Sequence, residues 1–456
     1  MKPKPPLLLK SLSIEQMRCI STASVDFMAG ATPRSRTVIV GANGAGKTTL
    51  LRALALSLVH VTGATSLMNK LPGELVRRNK KGHKATAAVI RLELFDPDAV
   101  DAVYVVTTKV AEDESGREVL VQETTPQVFP WERVLVAGFG VNRGGRRYAE
   151  LSQYDTSRAL ESLFSDDSPL LDPEGVLKSL ALEKALNHGK GARLDQVLRV
   201  LRGLLRLNPN HKFDIDHKGV RVHGPWGAQP FHALGDGYRS TAGWVLDFIG
   251  HVLAADRQGD KGPAGIVLID EVDEHLHPAW QRELLPLLSK HLPEVQLVAT
   301  THSPVTVVPT EAHELVLVSL HNAVANVSQD LPDTTAKSID AILRGQWFGL
   351  EEVMDDETER LLADYRRALR DGPQDGEAFR SLRHEVRQRA PSALGTPLEE
   401  MAVQVVEELR NAKRAAPSGA GPTRLSAVDA LRDEPDTAGL LKAAADKLRA
   451  SLRSEP

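Results

Sequence analysis

The chain has 456 residues, 42% of them hydrophobic and 25% charged, with a formal net charge of −4 and one cysteine, Cys19. That length holds one large core, or one core with an appended helical piece. The charge excludes a protein that attracts nucleic acid with its whole surface, and a single cysteine excludes an internal disulfide. Cys19, in an alternating apolar segment, is expected at a core position in a reducing compartment. No run approaches the roughly 18 apolar residues of a membrane helix, and residues 1–11 lack the small-residue cleavage site of a signal peptide. A cytoplasmic location is expected.

Residues 10–28 alternate around Leu12, Ile14, Val25 and Phe27, which predicts a hairpin leading into the strand Thr37-Val38-Ile39-Val40. A glycine-rich loop follows, then a helix with Leu50, Leu51, Leu54 and Leu58 on one face. Segments 87–95, 102–109 and 118–123 predict strands of a small antiparallel subdomain beside the main sheet. Leucine spacing over 157–207 predicts helices, 211–232 a hairpin, and Trp244, Val245, Phe248, Ile249 and Val252 an apolar helix over 241–254. Two unbroken runs, Ile266-Val267-Leu268-Ile269 and Leu297-Val298-Ala299, predict strands covered on both faces, joined by a helix over 278–291 in a βαβ unit. Charged helices are expected at 357–370, 376–389 and 396–413. The expected domains are an ATPase domain over 1–325 with a helical lobe at about 150–255, a helical extension over 326–413, a linker at 414–424 and a helical tail over 425–456.

The run Gly41-Ala42-Asn43-Gly44-Ala45-Gly46-Lys47-Thr48-Thr49 sits between a strand and a helix. Glycines let backbone N–H groups close around phosphate oxygens, and the helix N-terminus adds positive potential. Asn43 to Thr49 are therefore the candidate ATP-binding residues. Lys47 is placed to reach the β- and γ-phosphates and Thr48 to offer its hydroxyl to Mg²⁺. The apolar strand ending in Asp270-Glu271 puts two carboxylates at the sheet's carboxyl edge, Asp270 for the Mg²⁺ shell and Glu271 to polarise the attacking water. Thr300-Thr301-His302-Ser303-Pro304 ends the next strand, where His302 can bond the γ-phosphate and the water.

Together these three elements resemble the ABC ATPase superfamily over about residues 10–325, in its soluble SMC, RecF and OLD-like branch of AAA-type ATPases. The run Asp270-Glu271-Val272-Asp273-Glu274-His275-Leu276-His277-Pro278 carries that branch's "DE…LHP" pattern. The resemblance implies an α/β fold with a mixed central sheet, an ATP-closed homodimer or higher oligomer, and a loop from Asp273 to Pro278 that crosses its interface. It also makes Leu234, Gly235, Asp236, Gly237, Arg239 and Ser240 the signature segment that caps the partner's ATP with a helix N-terminus. The family's usual serine is Gly235 here. A Q-loop equivalent falls in Ala137-Gly138-Phe139-Gly140-Val141-Asn142-Arg143, where Asn142 or Arg143 would couple nucleotide to the helical lobe; a plain glycine-rich strand end is the other reading. His275 and His277 can also be read as metal ligands, but two histidines with no third ligand nearby rarely hold zinc.

Two basic runs offer clustered charge for nucleic-acid phosphates: Arg77, Arg78, Lys80 and Lys81, and Arg143, Arg146 and Arg147. Solvated loops are the alternative, and no aromatics interleave them for base stacking. About 190 residues between P-loop and signature are too few for a long SMC coiled coil. Residues 314–327 lack the acids of an OLD-type nuclease domain and read as a closing hairpin. Around Ser338-Ile339-Asp340, Trp347-Phe348-Gly349 and Leu361-Leu362 the chain resembles stand-alone ATPases of the Septu and retron-associated, PtuA-like defence group. That resemblance implies an ATPase switch beside a separate nuclease. The competing readings are a RecF-like DNA-repair ATPase and, further off, a transporter's nucleotide-binding subunit.

Overall fold

The computed structural model describes residues 4–350, apart from 80, 144–147, 151–153, 187–191, 209, 225–226, 256–257, 260–261 and 335–336, together with 355–371 and 377–389. The chain divides into two compact units, residues 1–350 and 351–456. The helix expected at 396–413, the linker and the tail lie outside the described residues.

In the first unit the expected opening hairpin forms as β1 (Leu8–Met17) and β2 (Ile20–Asp26), followed by β3 (Arg36–Val40) and α1 (Lys47–Ser57). Then come β4 (Ala87–Phe95), β5 (Tyr104–Glu112), β6 (Glu118–Thr125) and β7 (Val136–Phe139). The helical region contains α2 (Pro173–Leu186), α3 (Ala192–Leu204) and α4 (Asp236–Ala254). The unit is completed by β8 (Gly262–Ile269), α5 (Pro278–His291), β9 (Glu294–Thr301), β10 (Leu315–His321) and β11 (Val324–Ser328).

One mixed sheet runs through the unit. Five strands are parallel, in the order β7-β8-β9-β3-β10. The sheet continues through β11, β2 and β1 into the antiparallel β4-β5-β6. The segments read as a subdomain beside the main sheet are thus continuous with it, because β1 pairs with β4 along nearly its whole length. Ile266 to Ile269 are fully buried, as a parallel strand covered on both faces requires. One buried cluster on one side packs α4 and α5 against β8 and β9; the other buries α1 against β1, β2 and β4.

Over 156–204 the chain is less helical than its leucine spacing predicts. A short helix (Thr156–Leu160) and a 3₁₀ turn (Glu161–Leu163) precede the two-residue strand Leu170–Leu171, which pairs with Tyr148–Ala149. The 211–232 segment forms three antiparallel strands rather than two, because Gly227–Pro230 adds itself to the hairpin. Residues 338–350 belong to the first unit, where Ile342 and Trp347 are buried in its core. In the second unit α6 (Asp356–Asp371) and α7 (Glu377–Arg389) pack Leu361 and Leu362 against Val386, with Tyr365 stacked on Phe379.

Candidate functional site

Parallel strands share a direction, so β7, β8, β9 and β3 all end at one edge. The sequence-predicted residues Gly140 to Arg143, Asp270-Glu271, Thr301-His302 and the 41–48 loop are therefore brought together there.

The loop after β3 needs glycine at particular points. Gly41 and Gly46 have φ of 153° and 114°, and a Cβ on Gly41 would lie 2.1 Å from the Val318 carbonyl oxygen. A Cβ on Gly46 would lie 2.8 Å from Cys19 Sγ. Gly46 caps α1 without a side-chain hydrogen bond, and the first turn carries no acid. Its leading N–H groups thus present an uncompensated positive end, the form an anion site takes. Lys47 Nζ folds back over the loop and donates to Gly41 O at 2.8 Å and Ala42 O at 3.1 Å. Burial pushes its ammonium down from the ordinary value, while the Glu271, Asp270 and Asp273 carboxylates oppose that shift. Asn43 and Gly44 are exposed at the loop tip, whereas Ala45 and Thr49 are buried. Cys19 is half-buried beneath the loop instead of lying in the core, and burial raises its thiol pKa.

Asp270 ties the two halves of the site together. Thr48 Oγ1 donates to its Oδ2 at 2.6 Å and Thr300 Oγ1 to its Oδ1 at 2.5 Å. The Thr48 hydroxyl and the Asp270 carboxylate form an adjoining pair of hard oxygen donors, a set that fits Mg²⁺ completed by phosphate and water. Glu271 has φ of 46°, a left-handed conformation that costs a non-glycine residue about 1 kcal/mol or more. Its N–H donates to Thr300 Oγ1 at 2.8 Å, and its carboxylate lies 3.5 Å from His302 Nδ1.

Three contributors were not singled out in these roles from sequence. Thr300 serves both acids, and its only sequence signal is its place two residues before His302. Gln281 on α5 accepts from Ser303 Oγ at 2.8 Å and donates to Asp273 O and Leu276 O at 3.3 and 3.0 Å. It thereby links the histidine loop to the 273–276 loop. Arg143, read as a surface cation or a Q-loop residue, is 3% exposed and turned inward beneath Asp270 and Glu271.

The signature-like segment opens α4. Gly235 is its N-cap with φ of −55° and no side-chain cap. Leu234 is buried, Gly237 approaches His275 O, and Tyr238 meets Trp280 edge-on at 4.5 Å between ring centres. A cavity of about 240 Å³ separates this helix from Arg143 and is lined by Arg239, Ser240, Tyr148 and His275.

The other basic run is largely compensated within the chain. Arg77 donates to the carbonyls of Arg18 and Cys19, Arg78 pairs with Glu74, and the neighbouring Lys84 pairs with Glu74, Glu112 and Glu118. Lys81 is exposed, while Lys80, Arg146 and Arg147 lie outside the described residues.

A strand, glycine loop and helix facing an Asp-Glu strand end across one hydrogen bond define a P-loop nucleotide-binding fold. The chain belongs to the family described as "AAA domain, putative AbiEii toxin, Type IV TA system", whose model matches residues 36–308. It is 26% identical over 361 residues to a Septu protein PtuA of Bacillus mycoides, covering 77% of this chain and 46% of that protein. The chain thus spans about half the length of this curated relative. Over 40 residues, 9% of this chain and 7% of the other, it is 58% identical to a retron Ec83 probable ATPase of Escherichia coli. Among solved structures, an SMC head domain from Thermotoga maritima aligns with a TM-score of 0.40 at 13% identity, over 70% of this chain and 98% of that one. Among the described residues no helix is long and apolar enough to cross a membrane.

Proposed function

We infer that the protein binds and hydrolyses ATP as the switch subunit of a bacterial antiphage defence system, dimerising through composite ATP sites and controlling a partner nuclease. The observation that carries the reading is the meeting of Thr48, Asp270, Glu271 and His302 at one strand edge. In this reading Lys47 and the N-terminal turn of α1 bind the triphosphate. Thr48 and Asp270 would hold Mg²⁺, which would supply positive charge against the phosphate oxygens. Glu271 takes a proton from the attacking water, and His302 bonds the γ-phosphate. Leu234 to Ser240 of one subunit cap the ATP of the other.

The defence role is supported by the likeness to a Septu protein and to retron-associated ATPases. Control of a separate nuclease is supported by residues 315–328, which close as a hairpin where an OLD-type nuclease domain would begin.

Glu271→Gln should keep ATP binding and slow turnover by about 100-fold or more, because the amide cannot take the proton. With Mg²⁺-ATP this variant should shift in solution mass from the 49.6 kDa monomer to a stable dimer. Expression with its neighbouring genes should recover a nuclease in the complex. A variant that stays monomeric with ATP bound would sink the composite-site reading.

A further inference from the structure

β7 ends at Phe139 in a fixed position. A Cβ on Gly140 would fall 2.1 Å from Ser162 O. Ser162 Oγ donates to Gly138 O at 2.7 Å and accepts from Gly140 N at 3.1 Å. The strand end is thereby fastened to the 161–163 turn at the border of the helical region. From this anchor Arg143 reaches across to the end of β8.

The Arg143 guanidinium donates to three backbone carbonyls. One terminal nitrogen serves Gly140 O, at 3.1 Å, and Asp270 O; the other serves Glu271 O. Two consecutive carbonyls at the carboxylate-bearing strand end are thus held by one planar fork, a geometry the single ammonium of lysine does not reproduce. Glu271 is gripped from both sides: Thr300 takes its N–H, and Arg143 takes its carbonyl. Its left-handed φ is the conformation such a grip would maintain. Burial pushes the guanidinium down from its ordinary value, and the carboxylates of Glu274, Asp273, Asp270 and Glu271 oppose that shift.

We propose that Arg143 is a positioning residue for ATP hydrolysis, whose fork fixes the backbone turn that aims Glu271 and ties that aim to the helical region through Ser162. This rests on the reading of Glu271 as the group that polarises water. Arg143 touches no reacting atom, so its contribution belongs to turnover and not to nucleotide affinity.

The test is steady-state ATPase activity and nucleotide binding on the full chain, for wild type, Arg143→Ala, Arg143→Lys and Glu271→Gln. Arg143→Ala should lower kcat by about 10- to 100-fold, the scale of losing charge-assisted bonds, and leave ATP affinity within about threefold. Arg143→Lys should recover only part of that loss. Guanidinium chloride at about 10 mM should partly restore Arg143→Ala without helping wild type or Glu271→Gln, a rescue that a damaged fold would not show. If Arg143→Ala does not fold, Arg143→Lys decides: full wild-type turnover would show that the fork is not needed. Unchanged kcat in Arg143→Ala beside an inactive Glu271→Gln would overturn the clamp and leave the base assignment standing. A raised KM with unchanged kcat would overturn it in favour of a nucleotide contact. Normal hydrolysis by Glu271→Gln would remove the base assignment and the clamp with it.

Discussion

The five parallel strands end together, and the P-loop, Asp270, Glu271, His302 and Arg143 lie at that shared edge. The antiparallel strands β1, β2, β4, β5 and β6 alternate in direction, so no edge gathers their ends, and none of the candidate ATP-site residues sits on them. Both halves bury a hydrophobic layer, and the second adds the buried pair Asp96–Arg133. The difference teaches that the candidate ATP site follows strand direction, whereas stability is distributed across the whole sheet.

Substitutions can break or sharpen this division. The largest expected effect on the parallel half is from Gly41→Ala. Its Cβ would lie 2.1 Å from the Val318 carbonyl oxygen, at a φ unsuited to alanine. About 4 kcal/mol or more of stability should be lost, together with ATP binding, as read by urea unfolding and nucleotide titration.

On the antiparallel half, Asp96→Asn should cost about 3 kcal/mol by leaving Arg133 buried without its bidentate partner, both carboxylate–guanidinium contacts being 2.6 Å. Turnover per folded molecule should stay unchanged, which sets this half apart from the edge that carries the candidate ATP site. The Arg133 bonds hold the Asp96 carboxyl below its usual range, so the pair's contribution is complete above about pH 4 and falls away as pH drops further. A wild-type acid-unfolding curve that Asp96→Asn does not shift would contradict this.

The smallest effect should come from Gly235→Ser. The position has an ordinary φ, and the added Cβ meets only Tyr238, at 3.9 Å. Stability should change by less than about 0.5 kcal/mol. The added hydroxyl should strengthen the ATP-dependent dimer by a few-fold, measured by solution mass against ATP concentration; weaker dimers would argue that the segment does not face a partner's nucleotide.

The parallel half was the more legible in sequence. Unbroken apolar runs such as 266–269 carry the signature of strands buried on both faces, and each motif sat directly after one. Glu271, His302 and Thr48 are therefore legible at one edge from the sequence alone. Arg143 reads in sequence either as a Q-loop residue or, beside Arg146 and Arg147, as a surface cation, and only the fold shows the Asp270 and Glu271 carbonyls it holds. Thr300 and Gln281 were hidden for a related reason: Thr300 bonds Asp270 and Glu271, and Gln281 bonds Ser303, from more than 20 residues away in sequence. In the helical region, leucine spacing did not reveal the strand Leu170–Leu171, because two residues are too few to set a period.

The most direct measurement is ATP turnover by wild type and Glu271→Gln at saturating Mg²⁺-ATP, with nucleotide binding followed in parallel. The account predicts hydrolysis by wild type, retained binding by the variant and a turnover reduced by about 100-fold or more. Equal turnover by the two proteins would contradict it.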